Sequence, residues 1–160
     1  MAQRNGYSLA QIALHWLTAI TVLVAFFTHD AMEEIAKAVM EAGGEPFPTV
    51  HSVAGMLTFF LALIRLWIRH KRGAPEPQAT GLMLTAAVWG HRLLYVLLLA
   101  VPVLGFLTWI IGLHGLSDLH GILGKAIMLV ALGHAAAAIW HQFVKKDGTL
   151  MRMFRVEPKS

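Results

Sequence analysis

Four long apolar stretches constrain this chain more than any other feature of its sequence. They cover residues 9–28, 49–68, 82–112 and 119–143, and each reaches the roughly 20 residues that a helix needs to cross a bilayer. Only 14% of the 160 residues are charged, whereas an average soluble domain has about 25%. The sequence therefore predicts an all-α membrane protein, a bundle of four transmembrane helices that forms a single domain over residues 1–160.

The distribution of Lys and Arg predicts how this bundle is oriented. Nine basic residues fall in segments that must share one side of the membrane: Arg4, Arg69, Lys71, Arg72, Lys145, Lys146, Arg152, Arg155 and Lys159. The loops on the other side, residues 29–48 and 113–118, hold six carboxylates and one lysine, Lys37. Because short cytoplasmic loops are enriched in Lys and Arg, both termini are expected in the cytoplasm. This basic side faces anionic membrane lipid, so the net positive charge needs no nucleic-acid partner.

The first apolar run and the outer loop that follows it also have recognisable patterns. The first apolar run is about 20 residues long and ends without a small-residue cleavage site, so it is expected to stay in the mature protein. Residues 31–42 place apolar side chains at helical spacing before a Gly-Gly pair. They predict an amphipathic helix on the outer surface.

Histidine is the residue that carries the chemistry of this chain. There are nine His and no Cys, which excludes disulfides, thiolate metal sites and iron–sulfur clusters. Six of the histidines lie within the apolar runs or at their edges: His15, His51, His91, His120, His134 and His141. An ionisable side chain inside a membrane is costly and usually functional, although one buried histidine alone can simply bond to a neighbouring helix. Six together favour a functional interpretation.

The fourth run indicates two sites at different depths. His120 and His134 are 14 residues apart, which is nearly four helical turns, so they share a face and lie about 21 Å apart along the axis. A zinc site needs three or four converging ligands, whereas haem needs only one axial histidine on each face. Two haem sites near opposite leaflets are predicted. A histidine-lined channel or metal transporter is the weaker alternative, because intramembrane carboxylates and ligand clusters at one depth are missing from the sequence pattern.

Depth within the helices restricts the histidine pairs. His51 and His120 both lie within about one turn of the outer ends of their helices, so they are expected to form the outer pair. His134 belongs to the inner level, where the depths of His15 and His91 make both eligible as its partner. The arithmetic of helix rise leaves that choice open.

Two basic side chains and a further histidine complete the predicted sites. Arg65 repeats the 14-residue spacing from His51, and a guanidinium inside the membrane needs an anion such as a haem propionate. Lys125, near the outer level of the fourth run, has the same interpretation, with snorkelling to the interface as the alternative. His141 lies almost two turns beyond the inner-level histidine of that run and can serve the inner site from below.

Four motifs follow one another along nearly the whole chain. They are IALHWL at residues 12–17, HSVAG at 51–55, GHRLLY at 90–95, and GHAAAA at 133–138, which continues to KKDGTLMRM at 145–153. In this order they resemble the bacterial cytochrome b561 family of dihaem membrane proteins with four helices. The resemblance implies a protein of the bacterial inner membrane with two b haems.

The resemblance also implies roles for the individual histidines. The implied iron ligands are His15 with His134 on the cytoplasmic side and His51 with His120 on the outer side. His91 and His141 then lie near the inner haem but outside the ligand set. His141 is implied in a ubiquinone site, where an imidazole can relay the protons that quinone reduction consumes.

The activity implied by the resemblance is that of a superoxide oxidase, a superoxide:ubiquinone oxidoreductase that passes electrons from outer superoxide to ubiquinone. Lys125 would attract the anion locally. The acidic outer loops would instead suit a basic periplasmic donor protein. In that alternative the chain is a haem-bearing membrane subunit for another redox protein, without substrate turnover of its own. The small residues at 135–138 suit a homodimer interface, and they equally suit close packing of the fourth helix against a haem or another helix.

Overall fold

The computed structural model describes residues 6–75 and 79–156. Over these ranges the chain forms five α-helices: α1 Leu9–Phe27, α2 His29–Glu41, α3 Val50–Arg72, α4 Gly81–Trp109 and α5 Ser117–Trp140. A π-helical turn, His141–Lys145, continues α5, and single 3₁₀ turns cover His114–Leu116 and Leu150–Met153. Arg4 and Lys159, on which the predicted orientation partly depends, lie outside the described residues.

Four of the helical segments are long and apolar enough to cross a membrane: α1, α3, α4 and the segment His114–Lys145 that contains α5. Leu82, Phe27 and Leu129 are 89%, 77% and 73% exposed, which an aqueous surface would disfavour but lipid accommodates. The predicted four-helix membrane bundle is confirmed. The amphipathic segment predicted over residues 31–42 falls in α2, which begins two residues earlier.

The ends of α3 and α4 differ from the predicted ones, and α5 covers Ser117–Trp140 instead of residues 119–143. The second spanning helix was expected to end at residue 68, but α3 continues to Arg72 and carries four basic residues in its last turn. Cations at a helix C-terminus interact favourably with the helix dipole, which supports this extension. The third was expected to reach residue 112, but α4 ends at Trp109. Gly112, with φ of 80°, lies in the turn that follows.

Capping boxes fix where α1 and α3 begin. The Ser8 hydroxyl accepts from the Gln11 N–H and the Gln11 side chain accepts from the Ser8 N–H. Thr49 and Ser52 repeat the arrangement at α3. Reciprocal caps of this kind satisfy two N–H groups that have no partner inside the helix. The second cap starts α3 immediately before His51 and so determines the depth of that residue.

The helices pack in the order α1, α3, α4, α5 around the bundle, while α1 and α5 meet only sparsely. The buried apolar centre is small and consists of Ala62, Leu97, Leu98 and Ile127. Ile127 is seven residues from both His120 and His134, about 10 Å along the helix from each. This cluster of apolar side chains therefore lies between the outer and the inner histidine levels.

Two hydrogen bonds hold the inner end of α1 against the C-terminal 3₁₀ turn and the end of α3. The Trp16 indole N–H donates to the Met153 carbonyl over 2.8 Å, and its ring packs on Phe154 with centroids 5.0 Å apart. The Gln11 amide donates to the Gly73 carbonyl over 3.0 Å. The C-terminal 3₁₀ turn and the end of α3 therefore both lie against the inner end of α1.

Candidate functional site

His51 and His120 face each other at the outer end of the bundle. Their ring centroids are 5.9 Å apart and the rings are nearly perpendicular, at 80°. His51 Nδ1 donates to the Ala25 carbonyl over 2.7 Å, and His120 Nδ1 donates to the Val101 carbonyl over 3.0 Å. Because a carbonyl can only accept, each neutral ring keeps its hydrogen on Nδ1 and has a lone pair on Nε2. This is the form in which imidazole binds a metal.

A cavity of about 290 Å³ lies beside this outer pair, between α1, α3, α4 and α5. Gly55 and Gly124 line it, and a Cβ added to either glycine would meet nothing within 4 Å. His29, Asp30 and Lys125 also line it. The two glycines leave open space at these positions beside the imidazoles, and a flat macrocycle would fit such a space.

Gly105 allows His120 to approach α4 closely. A Cβ at this position would lie 2.9 Å from Cε1 and 3.3 Å from Nδ1 of His120, closer than carbon atoms normally pack. Only glycine leaves room for the imidazole against this part of α4. The same approach lets His120 reach the carbonyl of Val101, one turn earlier on α4.

Gly105→Ala is expected to displace the His120 ring, because overpacking at such a contact costs about 1–3 kcal/mol and the side chain must give way. The expected result is a lower haem content or an altered low-spin haem spectrum in the purified protein. Gly133→Ala is the matched control, since Gly133 lies on an exposed face of α5 and its added Cβ meets nothing within 4 Å. A normal spectrum for Gly105→Ala would contradict the close approach.

Three histidines gather at the inner level. His15 and His134 have ring centroids 6.2 Å apart at an angle of 58°, while His91 and His134 are only 4.9 Å apart. A metal–imidazole bond is about 2 Å long, so two imidazoles on opposite sides of one metal have ring centroids roughly 6 Å apart. The outer pair and the pair of His15 with His134 have this separation. His91 is too close to His134 to share a metal in that way, and its Nδ1 donates to the Ala87 carbonyl over 2.6 Å.

Arg65 reaches the inner level from α3. Its Nη2 lies 3.2 Å from Nδ1 of His15, and its guanidinium lies 5.8 Å from the centre of the Tyr95 ring. A guanidinium can only donate, so Nδ1 of His15 accepts in this arrangement and the neutral ring carries its hydrogen on Nε2. Metal binding through Nε2 therefore requires Arg65 to exchange His15 for another acceptor.

The π-helical turn after α5 presents His141 at the inner end. Nδ1 of His141 lies 2.5 Å from Oδ2 of Asp147, and the two side chains are 17% and 22% exposed. Oε1 of the adjacent Gln142 is buried and has no hydrogen-bond partner among the described residues. A buried acceptor without a donor is costly, so this is a place where a polar ligand or water can bind.

The structure thus brings the predicted outer histidines together, and brings His15, His91 and Arg65 to His134. Lys125 lines the outer cavity, whereas His141 stands apart with Asp147. The sequence pattern does not predict that the ring of His29 lies 6.0 Å from that of His51, nor does it predict the roles of Gly105 and Asp147. Among residues 6–75 and 79–156, no group of three or more His, Asp or Glu side chains is arranged to hold a metal ion. Haem needs only one axial histidine on each face, so pairs of facing imidazoles suit haem better than a metal ion held by protein side chains alone.

Comparison with known proteins identifies the family of this chain. The family model described as prokaryotic cytochrome b561 matches residues 6–155. The chain belongs to the prokaryotic cytochrome b561 family. A cytochrome b562 of Cereibacter sphaeroides is 39% identical over 159 residues, which cover 97% of this chain and 99% of that protein. Cytochrome b561 homolog 1 of Escherichia coli is 27% identical over 93% of this chain and 97% of its own length.

A probable superoxide oxidase of Yersinia pestis is also similar to this chain, at 27% identity over 92% of this chain and 94% of that protein. Membership of the cytochrome b561 family makes this chain a multi-pass prokaryotic membrane protein that binds haem b and takes part in membrane electron transfer.

Proposed function

We propose that the protein transfers electrons across the bacterial inner membrane by means of two b haems, from superoxide in the periplasm to ubiquinone at the cytoplasmic side. Both termini are cytoplasmic in this proposal. The observation that carries it is the presence of two histidine pairs at opposite ends of the bundle, with ring centroids 5.9 and 6.2 Å apart. One pair serves each leaflet.

The residues present fit two haems. His51 with His120 would hold the outer haem, and His15 with His134 the inner one. Iron held between two imidazoles alternates between Fe(III) and Fe(II) and so carries one electron at a time. At the outer site the carbonyls of Ala25 and Val101 keep Nε2 of both ligands free of hydrogen.

Arg65 is the inner residue that must respond to the cofactor. A haem brings two carboxylates, and a charge-assisted bond to a carboxylate is stronger than the present bond to His15 Nδ1. With haem bound, Arg65 would bind a propionate, and Nδ1 of His15 would then be free to carry the hydrogen. His91 remains outside the ligand set and packs against the ring of His134.

Superoxide is the proposed donor because Lys125 and His29 line the outer cavity and because a relative is named a probable superoxide oxidase. The overall reaction balances with two superoxide ions for each quinone. Each superoxide gives up one electron and becomes dioxygen, and one ubiquinone takes up both electrons and two protons to become ubiquinol. His141, at the inner end, is proposed to deliver those protons.

The charge of α2 favours a second candidate function, in which the chain is a membrane subunit that accepts electrons from a basic periplasmic protein. α2 carries Asp30, Glu33, Glu34 and Glu41, and its only lysine, Lys37, is bound to Glu33 over 2.7 Å. An acidic surface repels superoxide at long range and attracts a basic partner. The donor therefore has to be identified by experiment.

Rapid mixing of the purified, oxidised protein with superoxide tests the proposal. Superoxide is expected to reduce the haems, as followed by their absorption bands. Soluble ubiquinone added afterwards is expected to reoxidise the haems. Superoxide dismutase in the protein syringe is the control, since it removes the reductant without touching the haems. Catalase in both syringes removes the hydrogen peroxide that superoxide forms.

Failure of superoxide to reduce a sample that dithionite does reduce would reject superoxide as the donor. The second candidate would then be favoured, and reduction by a basic donor protein should become slower as salt is added. Failure of ubiquinone to reoxidise the reduced haems would reject the proposed acceptor under either candidate.

A further inference from the structure

The chain reverses direction after the π-helical turn His141–Lys145 and returns to His141. Lys146 has a left-handed conformation with φ of 55°, and Gly148 follows with φ of 73°. The backbone N–H groups of Lys146 and Asp147 both donate to the carbonyl of His141. Both the main chain and the side chain of His141 are therefore held by the loop at 146–149.

Asp147 is itself held in place within this loop. The Thr149 N–H donates to Oδ1 of Asp147 over 3.0 Å, which leaves Oδ2 for His141 at 2.5 Å. Partial desolvation raises the pKa of Asp147, but hydrogen bonds from His141 and Thr149 outweigh this effect and lower the pKa to about 2. Asp147 is thus a carboxylate at every physiological pH, and a carboxylate only accepts.

From this geometry we infer that Asp147 is a positioning residue for His141 in proton delivery to the quinone. The carboxylate holds the hydrogen of the neutral imidazole on Nδ1, so that Nε2 takes up and releases the transferred proton. It also stabilises the imidazolium that forms in between, as a buried carboxylate does for the histidine of a catalytic triad. Each quinone that becomes a quinol takes two protons, and His141 regains each proton from water at the cytoplasmic side.

This inference rests on the proposed function, and the alternative is that Asp147 merely closes the end of α5. Asp147→Asn and Asp147→Glu together separate the two roles. The amide has nearly the same shape, but its single oxygen can accept either from Nδ1 of His141 or from the Thr149 N–H, so one of these hydrogen bonds is lost together with the negative charge. Glu keeps both acceptor oxygens and the charge that makes the imidazole a good proton carrier. Glu41→Gln is the matched control, because it makes the same change from carboxylate to amide on an exposed side chain of α2.

The experiment mixes the dithionite-reduced, haem-loaded protein with a concentration series of soluble ubiquinone and follows haem reoxidation. Asp147→Asn is expected to lower the maximal rate about tenfold or more, since general acid–base assistance contributes about 10²–10⁴-fold to a rate. The quinone concentration at half-maximal rate and the haem absorbance should stay near those of the unmodified protein. Asp147→Glu, which restores the charge, should recover part of the rate, and Glu41→Gln should react normally.

The double variant with His141→Ala tests whether Asp147 acts through His141. His141→Ala alone is expected to keep both haems and slow reoxidation, and adding Asp147→Asn should slow it no further. An additional loss in the double variant, or a normal rate in Asp147→Asn beside a slow His141→Ala, would overturn the positioning role while the proposed function stands. An unmodified protein that ubiquinone does not reoxidise would instead overturn the proposed function.

A second measurement does not depend on turnover. The ¹⁵N chemical shifts of the His141 imidazole, assigned by their loss in His141→Ala, report which ring nitrogen carries hydrogen. The neutral ring is expected to be the Nδ1–H form in the unmodified protein and a mixture of forms in Asp147→Asn. A neutral ring that carries its hydrogen on Nε2 in the unmodified protein would overturn the inference.

Discussion

Replacement of His120 by Ala is expected to release the outer haem while the inner haem stays bound. His120 and His51 are the facing pair at that end, and a single imidazole on one side of the iron leaves the haem weakly held. The inner residues lie about 21 Å away along α5, beyond the apolar centre formed by Ala62, Leu97, Leu98 and Ile127. The haem-to-protein ratio, measured after pyridine extraction, should therefore fall by about half.

Electron paramagnetic resonance should show which haem is lost. The protein with both haems is expected to give two low-spin signals. One of them is expected to disappear in His120→Ala, and the other in His134→Ala.

His114→Ala is the matched control for this prediction. It makes the same change six residues earlier, on an exposed side chain in the 3₁₀ turn before α5. It should retain both haems. Loss of both haems in His120→Ala would mean that the two sites are not independent, and retention of both would remove His120 from the ligand set.

The helices and the outer histidine pair follow from patterns that a sequence displays directly. Apolar runs of spanning length specify the four helices, because only a helix satisfies its own backbone inside a bilayer. The depth of His51 and His120 follows from counting residues along two such helices. These predictions succeed because helix rise and period are nearly constant.

The remaining contacts depend on how closely the backbones of neighbouring segments approach one another. The spacing of residue types along the sequence does not reveal these distances. Gly105 is one glycine among 14 in the chain, and only its distance to His120 shows that a side chain would not fit there. Asp147 meets His141 because a π-helical turn and a left-handed Lys146 reverse the chain. His29 reaches the outer pair because only Thr28 separates the end of α1 from the start of α2.

The inner ligand pair is decided by replacing its three candidate histidines one at a time. His134→Ala and His15→Ala are each expected to lose the inner haem and keep the outer one, so the low-spin signal that is lost in His120→Ala should remain. His91→Ala is expected to retain both haems, because its ring lies only 4.9 Å from that of His134. That separation suits two rings in edge contact, whereas opposite axial ligands of one iron need roughly 6 Å.

His91→Ala is thus the matched control within the inner site, as it removes an imidazole at the same level from a neighbouring helix. Its removal also takes away a ring that packs against His134, so a small shift of the inner haem spectrum is expected while the haem-to-protein ratio stays constant. The opposite pattern, with the inner haem lost in His91→Ala and kept in His15→Ala, would assign the iron to His91 and His134. Arg65 would then stay bonded to His15 Nδ1. Such a result would contradict both the proposed ligand pair and the proposed contact between Arg65 and a propionate.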